Sequence, residues 1–230
     1  MSNPFLGSFG PAALMCGVDS VPPSLVYVTS VGLDTNLTTY TFSAASMGTE
    51  GATRKIIIGV GAEDALTSFT INSVTVGGVA AASVVTTSAD TGSLVQSGLF
   101  IVDLPTGATA DVVVTLSEAC TSCGIAIWAA YDLTSSTPAA TASQFQTSSA
   151  NIVLSMNVLV GDLIVGVSTN EQSSNAATWA GLTEDAETVM GAEAEISAAS
   201  HTAIAAATPL TIGCDWDNAR DVTGCAAVFR

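Results

Sequence analysis

The sequence predicts an all-β protein of the β-sandwich or jelly-roll type, built from two related β halves and preceded by an extended N-terminal arm. Short apolar runs rich in Val, Ile and Thr recur along the chain, and the apolar content is mostly Ala and Val interleaved with Ser, Thr and Gly. Turn residues separate these runs at intervals of roughly eight to twelve residues, a spacing typical of sandwiches and jelly rolls. β-branched residues favour strands, so long amphipathic helices are not expected.

The clearest strand prediction falls on residues 54–61, with the sequence RKIIIGVG. This run is too short to span a membrane and too rich in β-branched residues for a stable helix, which indicates a strand buried on both faces. The run DLIVGVS at 162–168 has the same shape. Each run is followed by a strand with a Thr- and Gly-rich turn, and later by an apolar closing strand, GIAIW at 124–128 and CAAVF at 225–229.

This repetition divides the chain into four parts. Residues 1–24 form the arm, residues 25–133 the first β half, residues 134–141 a seam around Pro138, and residues 142–230 the second β half. The two halves are expected to pack as one compact sandwich, because a single large β domain can reach this length.

Strands are predicted wherever apolar and β-branched residues run between turn residues. A helix remains open as an alternative only for residues 184–199, which are rich in Ala, Glu and Met. The predicted turns are at 77–78, 89–92, 105–107, 170–175 and 215–218. The predicted strands cover residues 25–29, 38–44, 55–61, 69–76, 80–86, 99–104, 111–116, 124–133, 152–157, 163–168, 177–182, 194–199, 210–214 and 224–229.

The arm has a composition unlike the rest of the chain. It lacks a steady period of two or 3.6 residues, and it has neither the basic region nor the cleavage site of a secretory signal. It is either a poorly ordered terminus or a segment that docks on a neighbouring subunit or on the chain's own sheet. Docking is favoured because disordered tails are normally polar. The expected partner-binding residues are Phe5, Leu6, Phe9, Leu14 and Met15.

The charge balance excludes two classes of partner. The chain has 4 Lys and Arg residues against 20 Asp and Glu residues, for a net charge of -16. Nucleic acids and anionic lipids are bound through Lys and Arg, so neither a nucleic acid nor a membrane is expected as a partner. Such acidity fits a protein that stays soluble at high copy number or in salt water.

No arrangement of residues predicts an enzyme or a cofactor. The chain has one histidine, His201, which is expected to be an ordinary surface or core residue, and it has no Gly-x-Ser-x-Gly motif. The sequence GVG at 59–61 lacks the third glycine and the following helix of a dinucleotide-binding loop. The acidic pairs Glu63-Asp64 and Glu184-Asp185 are placed in turns and do not indicate a glycosidase.

Two patterns resemble parts of metal sites without completing one. The sequence CTSC at 120–123 has the spacing of half a zinc knuckle, but its other ligands would have to come from Cys214, Cys225 or His201. A tight β turn is the favoured interpretation. In DWDNARD at 215–221, Arg220 occupies the position where a calcium loop needs glycine, so a solvated turn is favoured. Cys214 and Cys225 flank this turn and are expected to be buried free thiols rather than a disulfide.

The three tryptophans are candidates for contact with sugars. Trp128, in a predicted strand, is expected in the core, and Trp179 is either core or exposed. Trp216 lies between two aspartates in a predicted loop, which makes it the preferred exposed contact.

Several strand and turn phrases resemble those of virion structural proteins from tailed bacteriophages, in particular phages of marine and alphaproteobacterial hosts. They are TYTFS at 39–43, VTVGGVAA at 74–81, PTGATADVVV at 105–114 and ATWAGLTE at 177–184. The resemblance covers most of residues 38–229 and leaves out the arm. These phrases are structural turns rather than catalytic motifs.

The resemblance implies a non-enzymatic capsid decoration (cement) protein that is displayed on the virion surface after assembly in the host cytoplasm. Such proteins are often homotrimers that clamp neighbouring subunits of the major capsid protein. The alternative is a tail or fibre module that binds host-surface glycans through loop aromatics such as Trp179 and Trp216. Copy number separates the two, because a cement protein is present in hundreds of copies per particle and an adhesin in few.

Overall fold

A computed structural model describes residues 21–64, 66–87, 94–173, 175–202 and 209–230 of the chain. These residues form thirteen β-strands and no helix, so the predicted all-β class is confirmed. The strands are β1 (Ser24–Ser46), β2 (Lys55–Glu63), β3 (Ile71–Val76), β4 (Val79–Ala80), β5 (Ala82–Thr86), β6 (Val95–Asp103), β7 (Thr109–Tyr131), β8 (Ala140–Met156), β9 (Leu163–Asn170), β10 (Ala177–Ala180), β11 (Thr183–Val189), β12 (Glu195–His201) and β13 (Leu210–Phe229).

The strands form two antiparallel sheets with the same pairing scheme. In the first sheet the order is β4-β3-β7-β2-β6-β5, and β1 also pairs with β7. In the second sheet the order is β10-β13-β9-β12-β11, and β8 also pairs with β13. Strands β1, β2 and β3 therefore correspond to β8, β9 and β10, and strands β5, β6 and β7 correspond to β11, β12 and β13. Among the strands of the described residues, only the two-residue strand β4 has no counterpart, so the two halves are related in topology.

The matching runs in β2 and β9 differ in which face each residue occupies. Gly59 pairs with Leu99 and Ala126, and Gly166 pairs with Ala199 and Ala226. The two partners of Gly166 thus each lie one hundred positions after the corresponding partner of Gly59. Yet a side chain at Gly59 would meet Val167 of the second sheet, whereas a side chain at Gly166 would meet Leu182 and Trp179 of its own sheet. A shift of one residue exchanges the two faces of a strand. The two runs therefore occupy equivalent strands of the two sheets, but their sequences are shifted by one residue relative to the faces of the strands.

The longest strands are bent, which corrects part of the predicted strand list. A straight strand of 23 residues would extend roughly 75 Å. In β1, however, Val31 and Phe42 pack in the same apolar cluster, and register shifts lie between Asp34 and Thr39. Strand β1 therefore turns back over itself at an irregular corner, as bulged strands do.

Strands β7, β8 and β13 are bent in the same way. Residues from both ends of β7 pack in one apolar cluster, and the same is true of β8. In β13, register shifts interrupt the pairing with β8 near the middle of the strand. The separate strands predicted at 25–29 and 38–44, at 111–116 and 124–133, and at 210–214 and 224–229 are consequently single bent strands. The turns predicted at 120–123 and 215–218 lie inside β7 and β13 and are wrong. The helix left open for 184–199 is instead the hairpin β11–β12.

Three apolar clusters account for the core. The first sheet encloses one cluster that includes Phe42, Ile58 and Phe100, and the second sheet encloses another that includes Leu154 and Trp216. A third cluster lies between the sheets and draws on both, with members Ile57, Leu99, Trp128, Val167, Ile196 and Phe229. Burial of these side chains, at about 25 cal/mol per Å² of apolar area, is the main force that holds the two sheets together.

Candidate functional site

The tryptophans do not form an exposed platform. Trp216 is only 3% exposed, and its Nε1 donates to Ser168 Oγ at 3.0 Å, so the expectation of an exposed contact is wrong. The reason is that residues 215–217 lie within β13, where Asp215 points outward and Trp216 points into the cluster of the second sheet. Trp179 is half-buried, and its Nε1 donates to Ser197 Oγ at 2.8 Å. Trp128 is fully buried, as predicted.

The four described cysteines are buried free thiols. Cys120 and Cys123 lie in β7, and burial raises the pKa of both thiols far above the usual range. Burial raises the pKa of Cys214 to about 12. Cys214 and Cys225 belong to the same strand but face different clusters, which agrees with the prediction of buried thiols without a disulfide.

In the part of the chain that the structure describes, no three His, Cys, Asp or Glu side chains are grouped so that they could hold a metal ion. His201 is half-buried at the end of β12, opposite Ile164. The same described residues include no helix with the length and hydropathy needed to span a bilayer.

One end of the molecule carries an apolar groove. The groove has a volume of about 300 Å³ and is lined by Pro22, Pro23, Ser24, Leu25, Gly161, Leu163 and Thr202. Residues next to these in the chain are apolar and exposed: Val21 by 66%, Leu159 by 51% and Val160 by 75%. An exposed apolar surface of this kind indicates a contact with another molecule or segment.

The groove lies where the N-terminal segment joins the sheets. Residues 1–20, which include the predicted contacts Phe5, Leu6, Phe9, Leu14 and Met15, lie outside the described residues. Near the groove, Arg230 Nε and Nη2 donate to the two oxygens of the buried Asp162 at 2.9 and 3.1 Å. This bidentate ion pair holds the end of β13 against the connection between β8 and β9.

The opposite end of the molecule carries two adjoining acidic pockets. The inner acidic pocket, of about 160 Å³, is lined by Asp34, Glu63, Thr121, Ser122, Ala192 and Glu193. The outer acidic pocket, of about 510 Å³, is lined by Glu171, Gln172, Ser173, Ala192, Glu193 and Arg220. The β11–β12 hairpin supplies Ala192 and Glu193 to both pockets.

Strand direction places the groove and the acidic pockets at opposite ends. Strand β2 begins at Lys55, opposite Ala130, the residue that also pairs with Leu25 of the groove. The strand ends at Glu63 of the inner acidic pocket, roughly 26 Å away at 3.3 Å per residue. The apolar groove therefore lies at one end of the molecule, and the two acidic pockets lie at the other, which we call the acidic end.

Electrostatics at the acidic end are unfavourable for ionised carboxylates. Burial raises the pKa of Glu63 to about 7, the nearby Thr121 hydroxyl opposes this in part, and the charges of Glu193, Glu171 and Asp64 raise it further. Burial also raises the pKa of Glu171, while Arg220 lowers it.

The sequence analysis predicted neither the apolar groove nor the acidic pockets. The adjacent apolar pair Leu159-Val160 before Gly161 was a signal for an exposed apolar turn. No local pattern in the sequence predicts the pocket at Glu63. The β11–β12 hairpin, which supplies Ala192 and Glu193 to that pocket, follows Glu63 by over a hundred residues.

Comparison of the chain with models of known protein families gives no match, and comparison with curated protein sequences gives none either.

Proposed function

We propose that this protein is a non-enzymatic virion structural protein that decorates a bacteriophage capsid and bridges neighbouring subunits of the major capsid protein. The observation that carries the proposal is the placement of an apolar groove at one end of the molecule and of two acidic pockets at the other. An apolar groove beside the N-terminal segment suits attachment to a shell, and an acidic opposite end suits display toward solvent. The sequence resemblance to phage virion proteins gives the proposal its biological setting.

The mechanism is linkage between binding and assembly. A protein that binds the assembled shell more tightly than the separated subunits stabilises the shell by mass action. Many copies of a small bridge, each a homotrimer at a symmetry position, add up to a large effect without any catalytic group. The apolar side chains of Phe5, Leu6, Phe9, Leu14 and Met15, together with the groove, provide the attachment surface.

The glycan-binding alternative receives less support. Sugar platforms use exposed aromatic faces, whereas the indole of Trp216 is buried and those of Trp179 and Trp216 both donate to serines of the second sheet. A tail or fibre role is therefore kept as an outcome of the test rather than as a second proposal.

Copy number tests the proposal directly. Quantitative mass spectrometry of purified particles should give a ratio of one copy, or a small-integer fraction of a copy, per major capsid subunit. A few copies per particle would contradict decoration and favour a tail or fibre part.

The attachment surface is tested with purified shells stripped of this protein. The variant Val160→Asp and a deletion of residues 1–20 should each weaken rebinding at least tenfold, because a charge or a gap replaces apolar contact. The matched control is Val153→Asp, which changes a valine of 53% exposure on β8 outside the groove. Equal rebinding by Val160→Asp and Val153→Asp would exclude the groove as the attachment surface.

A further inference from the structure

The inner acidic pocket is lined by two buried polar groups that lack a hydrogen bond of normal length and geometry. Glu63 is 1% exposed, and neither Oε1 nor Oε2 makes such a bond, so its polar contact with the pocket residue Thr121 satisfies the carboxylate only in part. Ser122, directly opposite Glu63 across the β2–β7 pair, is equally buried, and its hydroxyl also has no partner. Native structures rarely leave such groups unsatisfied, since burial without a partner is costly. Because both groups line the pocket, the missing partner is expected to enter there.

The chemistry of the lining selects a cation. Glu63, Glu193 and Asp34 are acceptors when ionised, and the residues that line the inner acidic pocket include no basic side chain. Arg220 lines the outer acidic pocket but not the inner one, and its Nε donates to Gln172 Oε1 at 2.9 Å. The pocket therefore has unmatched negative charge and hydrogen-bond acceptors.

The spacing of the carboxylates disfavours a metal ion. Calcium requires six to eight oxygen ligands at about 2.3–2.6 Å. Among residues 21–230 outside the undescribed gaps, no three acidic or other metal-ligating side chains are gathered in this way. An ammonium group makes lower demands, because it donates three hydrogen bonds that can go to one carboxylate, one hydroxyl and one further acceptor.

We propose that the inner acidic pocket binds an alkylammonium group, whose nitrogen donates to Glu63 and Ser122 and whose aliphatic stem passes Ala192 and Glu193 into the outer acidic pocket. The group is carried either by a free aliphatic polyamine or by a lysine side chain of a partner protein. A polyamine places its next charge beside Glu171. This inference concerns the isolated chain and does not depend on the proposed role in a capsid.

Ligand binding is coupled to the protonation of Glu63. The ammonium stays charged below about pH 9, so the carboxylate controls the pH dependence. Since the pKa of Glu63 is about 7 in the free protein, affinity should rise as pH increases through 7. The titratable groups that surround Glu63 are Asp34 and Tyr40 of β1, Asp64 after β2, Cys120 of β7, Glu171 after β9 and Glu193 of the β11–β12 hairpin.

The test is isothermal titration calorimetry of the full chain with spermidine, Nα-acetyl-lysine methylamide and calcium chloride, at 0.15 M salt. Saturable binding is expected for spermidine or the lysine derivative at pH 8, with about tenfold weaker binding at pH 6. Tighter binding of spermidine indicates a free polyamine, and comparable binding of the lysine derivative indicates a partner's side chain. A preference for calcium over both amines would overturn the proposal.

Three variants separate the pocket from the general negative charge of the protein. Glu63→Gln should weaken amine binding at least tenfold, and the exposed Glu193→Gln, which cannot disturb the core, should weaken it severalfold. Asp215→Asn removes the same charge from an exposed position outside both pockets and should change affinity less than twofold. If all three variants weaken binding equally, or if wild-type protein binds neither amine saturably, the pocket is not an ammonium site.

Discussion

Trp128 of the first sheet donates a hydrogen bond from its indole Nε1 to Asp185 Oδ2 of the second sheet, at 2.8 Å. The indole is fully buried in the cluster between the sheets. Burial raises the pKa of Asp185, and the hydrogen bonds from Trp128 and Ser200 oppose that rise. The contact therefore combines apolar packing with a hydrogen bond to a carboxyl oxygen across the interface.

A double-mutant cycle should reveal coupling between these two residues. Trp128→Phe and Asp185→Ala each remove the hydrogen bond, so the second substitution should cost less in the background of the first, by about 1 kcal/mol. Urea unfolding at pH 7 measures the four free energies. If the losses in unfolding free energy from the two substitutions are strictly additive, the hydrogen bond does not stabilise the packing of the two sheets.

Gly59→Ala should destabilise the protein by about 1–3 kcal/mol, because the added methyl group falls closer to Val167 Cγ1 than two carbon atoms can approach. Thermal unfolding measures the loss. Gly213→Ala is the matched control, since a methyl group there has no neighbour nearer than 3.7 Å and should be tolerated. Adding Val167→Ala to Gly59→Ala should recover part of the loss, and failure to recover any would place the strain elsewhere.

Arg54→Met should destabilise the protein by about 3–5 kcal/mol. The Arg54 side chain is 1% exposed and donates all five N–H groups to backbone carbonyls that join the β1–β2 connection to the β6–β7 connection. The substitution leaves these acceptors unsatisfied. Arg54→Lys should give an intermediate loss, because an ammonium offers three donors.

The same chemical denaturation experiment on Arg220→Met supplies the control for Arg54. Arg220 is exposed, so its replacement should change the free energy of unfolding by less than about 0.5 kcal/mol. Equal effects at the two positions would show that the carbonyl contacts of Arg54 are not stabilising.

Glu63 should make stability depend on pH. Its pKa of about 7 in the folded protein lies above its value in the unfolded chain, near 4.3. The folded state therefore holds a proton that the unfolded state has released, and this contribution to stability is lost as pH rises from about 4.5 to 7. Glu63→Gln removes the titration, so the variant should gain on wild type through this window.

Between pH 5 and pH 8 the stability of Glu63→Gln relative to wild type should rise by roughly 2 kcal/mol, measured by urea unfolding without added amine. The exposed Asp215→Asn should show no such pH-dependent difference. A constant difference between Glu63→Gln and wild type from pH 5 to pH 8 would argue against a raised pKa.

Much of the fold follows from local patterns in the sequence. The strand in 54–61, the buried position of Trp128 and the existence of two related halves were all predicted from apolar runs and their repetition. These features depend on residues close together in the chain. That is why a single sequence contains enough information to predict them.

The phase of the repeat could not be predicted in the same way. Both faces of β2 and β9 are buried, so neither strand alternates between polar and apolar residues. Without that alternation, the sequence gives no sign of which face meets the other sheet. The corner of β13 at 215–218 was mistaken for a turn because a bulged corner and a hairpin loop both expose polar residues. The residues at 120–123 are instead mostly buried, next to the exposed residues 117–119 of β7.

The candidate sites were harder to predict than the fold. Trp216 did have a local signal, since the buried Trp216 between exposed Asp215 and Asp217 has the alternation of a strand. The pocket at Glu63, in contrast, is completed by Ala192 and Glu193 from a hairpin of the other sheet. Such a contact depends on tertiary packing, so no local pattern in the sequence predicts it.

The shared pairing scheme of the two sheets has a consequence for how far either half could exist alone. One sheet on its own would leave exposed the face that holds Ile57, Leu99 and Trp128, and it would need a second molecule to cover it. The second sheet supplies that cover within the same polypeptide. The contact is therefore made between two similar but non-identical faces, at an effective concentration fixed by the covalent link.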